Sequence, residues 1–180
     1  MKKLSNTAPL LFQWIPREFG LTLPKLYQER IFNWRKREPQ RDIYLVVNGS
    51  GFTRKQLADL TQEMKEHKIT VINFNELNLK RYDFTIPIGE REIKISDYYR
   101  DMYSHNFKRI SDEEGKIRFD IELSMMRLLM LTQVKEFTRG NEAIYLDFDK
   151  LPEKNGQQIG EANIPYDTVW LFRTCCYCYL

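Results

Sequence analysis

The segment richest in chemistry is Tyr145-Leu146-Asp147-Phe148-Asp149-Lys150-Leu151-Pro152. Side chains alternate along a strand, so Asp147 and Asp149 point to the same side where the apolar run Ala143-Ile144-Tyr145-Leu146 gives out. Two carboxylates placed together repel unless a cation lies between them. Oxygen donors suit Mn²⁺ or Mg²⁺, which share a few carboxylates with the phosphates of a substrate. Ligands of open α/β sheets also bind beyond the carboxyl ends of the strands. The segment reads as a metal-assisted phosphate site, and the alternative is an Asp-x-Asp turn that caps a strand end.

Other motifs offer less. Gly49-Ser50-Gly51 opens like a dinucleotide-binding turn, but Arg54 stands at the third glycine position and the segment follows a second strand. Cys175, Cys176 and Cys178 crowd the last six residues without the spaced pairs of a zinc site, and read as reduced, structural thiols. The only histidines, His67 and His105, leave no nucleophile–histidine pairing to argue. Arg35-Lys36-Arg37, with Arg30 and Arg41, could touch a phosphate backbone, but such a run is expected to be the solvated face of a helix. No nucleic-acid partner is expected.

These candidates need a scaffold, and 180 residues suffice for one domain with a sizeable core. A hydrophobic fraction of 42% with 13% aromatics excludes a disordered chain. The net charge of +3 identifies no partner class. No apolar run approaches the roughly eighteen residues of a membrane span, and the start Met1-Lys2-Lys3-Leu4 carries no cleavable leader pattern.

The first half alternates between periods. Leu10–Ile15, Ile43–Val47 and Ile69–Phe74 read as buried strands. Between them, Leu26, Tyr27, Ile31 and Trp34 repeat at helical spacing after Pro24, and Leu57, Leu60 and Met64 follow a Thr53/Gln56 capping box. This order predicts an α/β fold with a mostly parallel sheet flanked by helices. Phe84, Ile86 and Ile88, then Ile93 and Ile95, predict a β-hairpin with Pro87 at an edge. Ser96 caps a predicted helix carrying Tyr98, Tyr99, Met102 and Tyr103. A longer helix is predicted over 118–137, with Leu123, Met126, Met130 and Val134 as its apolar stripe. Residues 153–161 read as a loop, and Thr168–Phe172 as a last strand.

In this order the segments resemble glycosyltransferases with the DXD sugar-binding region, a group that includes the glucosyltransferase domains of the large clostridial toxins and related secreted bacterial effectors. The residues that carry the resemblance are a short strand closing on Trp14-Ile15, a helix ending in Trp34 with basic residues and Pro39, and a strand closing on Asn48. A helix bearing Arg127 and the Tyr145–Pro152 signature complete them, so the likeness spans residues 8–152.

The resemblance implies a Rossmann-like, type A nucleotide-binding sheet, with residues 1–180 forming one catalytic domain or its N-terminal portion. It implies transfer of a hexose, with retention, from a nucleotide-diphosphate sugar to an acceptor hydroxyl, and a UDP-sugar ahead of a GDP-sugar. Trp14 would stack on the base, Asn48 would face the nucleoside and Asp147 the ribose and donor phosphates. Asp149, with Asp147, would hold Mn²⁺ or Mg²⁺, and Arg127 would face the donor sugar or diphosphate. The acceptor of such an effector would include host proteins. The location implied is the producing cell's cytoplasm or, after secretion, a host cell. A module of the same fold that binds a nucleotide or protein without turnover is the rival reading. This chain has Ser124 where the family pattern has an Asp, and Gly140-Asn141-Glu142 where it has paired glycines.

Overall fold

The computed structural model describes residues 2–3, 5–77, 85–88, 91–94, 138, 140, 142–148, 163–164, 171–173 and 176–178, together with positions 123, 126, 127, 130, 131 and 134 of a later helix. The predicted helix at Ser96, the loop 153–161, and Asp149, Ser124 and Cys175 lie outside the described residues. In chain order the strands are β1 (Lys2–Lys3), β2 (Leu10–Trp14), β3 (Ile43–Val47), β4 (Ile69–Asn73), β5 (Thr85–Ile88) and β6 (Arg91–Lys94). They continue as β7 (Ile144–Tyr145), β8 (Asn163–Ile164), β9 (Leu171–Arg173) and β10 (Cys176–Cys178). Helix α1 spans Lys25–Arg37 and α2 spans Arg54–Glu66.

The main sheet has the order β10-β9-β7-β2-β3-β4, and every neighbouring pair in it is parallel except β9 and β10. It is the α/β architecture expected from the alternating periods. The chain runs β2-α1-β3-α2-β4 in one direction across the sheet, then returns to lay β7 on the opposite side of β2. The strand order therefore reverses between β2 and β7, and their carboxyl ends flank the crevice that such a reversal opens. The hairpin forms its own two-stranded sheet, with Ile86 opposite Ile93 and Pro87 opposite Glu92. The pairing of β1 with β8, and of β10 with β9, carried no sequence signal.

Alternation along β2 supplies both faces of the core. Leu10 and Phe12 join Leu45, Val47, Ile31, Trp34, Leu60 and Met64 on the α1–α2 face. Leu11 and Ile15 join Tyr44, Val46 and Tyr145 against Met126, Met130 and Val134 of the later helix. All of β3 is buried, as a strand covered on both faces must be. Leu26, placed on the apolar stripe of α1 by its spacing, is instead 55% exposed, because Ile31 and Trp34 cover the sheet. The Thr53/Gln56 capping box is present in both directions. Among the described residues no helix is long and apolar enough to cross a membrane.

The basic cluster departs from a solvated face. Arg41 is fully buried, its Nε donating to Glu38 Oε2 at 2.9 Å, with both side chains at 0% exposure. Its Nη1 donates to the carbonyls of Ala8 at 2.7 Å and Ser5 at 3.2 Å, which ties the end of α1 to the chain entering β2. Arg35 donates to the carbonyls of Glu38 and Lys68. Burial makes the Glu38–Arg41 pair unforgiving, since removing one partner leaves the other charge without compensation. Glu38→Ala is expected to lower unfolding free energy by about 3–5 kcal/mol in urea denaturation, and Glu38→Ala with Arg41→Met to recover much of that loss. An unchanged midpoint for the single variant would show that the other partners of Arg41 compensate its charge without Glu38.

Candidate donor site at the sheet crevice

Because β2, β3, β4 and β7 are parallel, Trp14, Asn48, Asn73 and Asp147 all fall at one edge of the sheet. The same alternation that fills the core divides them between its faces. Tyr145 packs with the later helix, and Asp147, two residues on, shares that side. Phe148 turns the other way, onto the face that holds Trp14 and Tyr27.

On the helix side three groups form one cluster. Arg127 Nη2 donates to Asp147 Oδ1 at 3.0 Å, with the side chains 18% and 24% exposed. The Tyr145 hydroxyl donates to the same Oδ1 at 2.9 Å. The Arg127 guanidinium lies 4.4 Å from the centre of the Tyr145 ring, a cation–π contact. Burial, above all, pushes the Tyr145 phenol well up from its ordinary value, so it remains a proton donor to Asp147. Arg127 Nε is buried without a hydrogen-bond partner, and Asp147 Oδ2 has none among the described residues. The structure thus brings together Arg127 and Asp147, 20 residues apart in sequence. The sequence does not single out Tyr145 as a member of this cluster, because its apolar neighbours mark it only as part of a strand.

On the other side Trp14 is partly buried and meets Tyr27 and Phe148 edge-on, with ring centres 5.6 and 6.3 Å away. Tyr27 and Phe148 stack on each other at 4.7 Å. Arg30 of α1 donates to the Phe148 carbonyl, pinning the turn that follows Asp147. The Trp14 indole N–H is buried with no acceptor among the described residues, an arrangement that is costly unless a ligand oxygen supplies one.

Asn48 is fully buried, and its Oδ1 accepts from Ser50 N, Ser50 Oγ and Asn75 Nδ2 at 2.6–3.1 Å. Its Nδ2 has no partner among the described residues. The Gly49 amide donates to Asn73 Oδ1 at 3.0 Å, and a Cβ on Gly49 would lie 2.4 Å from that oxygen, so any larger residue would have to displace the Asn73 side-chain amide. Asp147 is the described member of the carboxylate pair, and it offers a hard oxygen at the mouth of the crevice, the donor type that Mn²⁺ or Mg²⁺ takes.

No family model matches the sequence, and no curated protein matches it. Solved structures do. The chain is similar to the PaToxG glycosyltransferase, with a TM-score of 0.58 and 14% identity over 95% of this chain and 51% of that one. It is similar to the bacterial N-acetylglucosamine transferase NleB, with a TM-score of 0.51 and 21% identity over 82% of this chain and 65% of that one. A structure described as a transferase matches with a TM-score of 0.57 and 17% identity over 99% of this chain and 72% of that one. The fold is shared with glycosyltransferases, and the chain spans from half to under three quarters of the length of these structures.

Tyr145→Phe keeps the ring beneath Arg127 and removes only the hydroxyl. It is expected to cost about 1 kcal/mol in urea denaturation, the low end for a hydrogen bond to a charged group because water reaches Asp147. The raised phenol contributes stability that is intact below about pH 10, its unfolded value, and is lost as pH rises past the folded one. The thermal midpoint of the wild type should therefore fall more steeply than that of Tyr145→Phe above pH 10. Parallel alkaline profiles would contradict a buried, hydrogen-bonded phenol.

Proposed function

We infer that the chain carries the donor-binding part of a metal-dependent glycosyltransferase, which moves a hexose from a nucleotide-diphosphate sugar to an acceptor hydroxyl. The observation that supports this most is the Arg127–Asp147–Tyr145 cluster facing the crevice where the strand order reverses, in a fold shared with glycosyltransferases. An Arg fork matches phosphate oxygens, and Arg127 keeps Nε uncommitted beside its bond to Asp147. Trp14 offers an indole whose described ring contacts are edge-on, together with a buried N–H in need of an acceptor. In this reading it holds the base, and Asn48 supports the nucleoside side from β3.

Asp147 Oδ2 and Asp149 would hold Mn²⁺ or Mg²⁺. When bound, such an ion neutralises charge developing on the diphosphate leaving group. The remaining work belongs to the chain. Tyr145 fixes one oxygen of Asp147, Arg127 orients the diphosphate, and the Trp14–Tyr27–Phe148 aromatics keep water from the base. A UDP-sugar is the donor proposed, with UDP-N-acetylglucosamine among the candidates because NleB is described as an N-acetylglucosamine transferase. A secreted effector acting on a host protein is the setting proposed. Ser124, standing where the family pattern has an Asp, favours one other reading, a module that binds the nucleotide without turnover. A hydrolysis or transfer assay separates the two.

Two experiments test the site. Trp14→Ala should weaken nucleotide-sugar binding by about 1–3 kcal/mol while the fold survives, as expected for loss of base–aromatic stacking; a variant that unfolds would assign Trp14 to the core alone. In the second, Mn²⁺ and UDP-glucose are titrated into wild type and Asp149→Asn while the thermal midpoint is followed, with GDP-mannose and UDP-N-acetylglucosamine as alternative donors. Metal-dependent stabilisation is expected in the wild type and not in the variant, whose own stability should be equal or only slightly higher, because Arg127 already offsets most of the repulsion at Asp147. A wild type that no nucleotide sugar stabilises would sink the enzyme reading.

A further inference from the structure

We propose that Arg127 acts as a resident counter-ion that makes metal binding at Asp147 conditional on a diphosphate. The proposal rests on the glycosyltransferase reading and concerns how its site is loaded. Asp147 already has a full positive charge beside it, with Arg127 Nη2 3.0 Å from Oδ1. That charge is held in place. Its guanidinium lies 4.4 Å from the Tyr145 ring centre, its Nε is buried, and its backbone sits beside Met126 at 0% exposure. Tyr145 bonds the same Oδ1, so Oδ2 is the oxygen left for an ion, within reach of the Arg127 field.

A divalent ion arriving alone finds the Asp147 charge already balanced by Arg127 and is repelled by that guanidinium, in a partly water-excluded site where like charges repel more strongly than in bulk water. A diphosphate changes the balance, because its oxygens accept from Arg127 and coordinate the ion at once. The same groups that disfavour the ion alone thereby favour the pair. Linkage makes the effect reciprocal: the metal must raise diphosphate affinity by the factor through which the diphosphate raises metal affinity. The site stays intact without metal because Arg127 occupies the ion's electrostatic role.

The test measures Mn²⁺ affinity calorimetrically with and without UDP, corrected for Mn²⁺–UDP association in solution, in wild type, Arg127→Gln, Arg127→Met and Arg127→Lys. Arg127→Met keeps an apolar stem against the Tyr145 ring, and circular dichroism verifies folding of each variant. Arg127→Gln and Arg127→Met are expected to bind Mn²⁺ alone more tightly than wild type by on the order of tenfold. In both, UDP should raise Mn²⁺ affinity by a smaller factor than in wild type, whereas Arg127→Lys should keep most of the wild-type coupling. Folded neutral variants that bind Mn²⁺ alone no more tightly, in a protein that still binds Mn²⁺ with UDP, would overturn the proposal and leave the glycosyltransferase reading standing. A wild type that binds no Mn²⁺ even with UDP would overturn both.

Discussion

Strand β2 is hydrogen-bonded on both sides, to β3 along its whole length and to β7 through Leu10 and Leu11, and the whole candidate site is placed by that fact. A strand in this position has no free edge, and each of its side chains must suit one of two buried faces. Its odd positions therefore meet the later helix and its even positions meet α1 and α2. The division continues across the ladder into β7, so Tyr145 and Asp147 turn toward Arg127 while Phe148 turns toward Trp14. Gln13 reinforces it, since this buried amide donates to the Leu123 carbonyl and fixes the later helix against β2.

Polar groups that look superficial in the sequence hold the two ends of the sheet around this strand. At its start, the buried Arg41 gathers the Glu38 carboxylate and two carbonyls, so α1 cannot shift without leaving a charge in the core. At its end, the Asn48–Ser50–Asn73–Asn75 network closes β3 against β4 through short side-chain bonds, with Gly49 between them. The crevice thus has rigid sides. One is a network of amides and the other a carboxylate held by a cation and a phenol, the kind of preorganised polar surface that binds charged ligands without first rearranging.

Much of the scaffold was legible because its signals are local. Ile43–Val47 has the bounds read from its β-branched run, the Thr53/Gln56 box starts α2, and Ile86 faces Ile93 as the alternating hairpin required. Leu10–Trp14 ends one residue early, since Ile15 continues the pattern but not the ladder. What failed depends on partners distant in the chain. Arg41 looks solvated among other bases until the Ser5 and Ala8 carbonyls are placed beside it, and Leu26 keeps its helical spacing while facing water. The candidate cluster was half legible. Spacing put Asp147 at a strand end, and the family resemblance singled out Arg127. Neither Tyr145 as the link between them nor the Trp14–Tyr27–Phe148 aromatics could be read before the sheet order was known.

The sheet order also sets a sequence of events during synthesis. Strands β2, β3 and β4, with their two helices, leave the ribosome as a unit of short-range contacts. The Gln13–Leu123 and Arg30–Phe148 bonds, by contrast, close separations of 110 and 118 residues. Until residue 144 has emerged, β2 presents a bare apolar edge of the kind that recruits stray strands. Closing so long a loop is entropically slow, and β7 has only two residues with which to compete for that edge. The crevice therefore exists only once β7 has emerged, and a nascent chain that stalls before β7 displays the apolar edge of β2 where the candidate site would have formed.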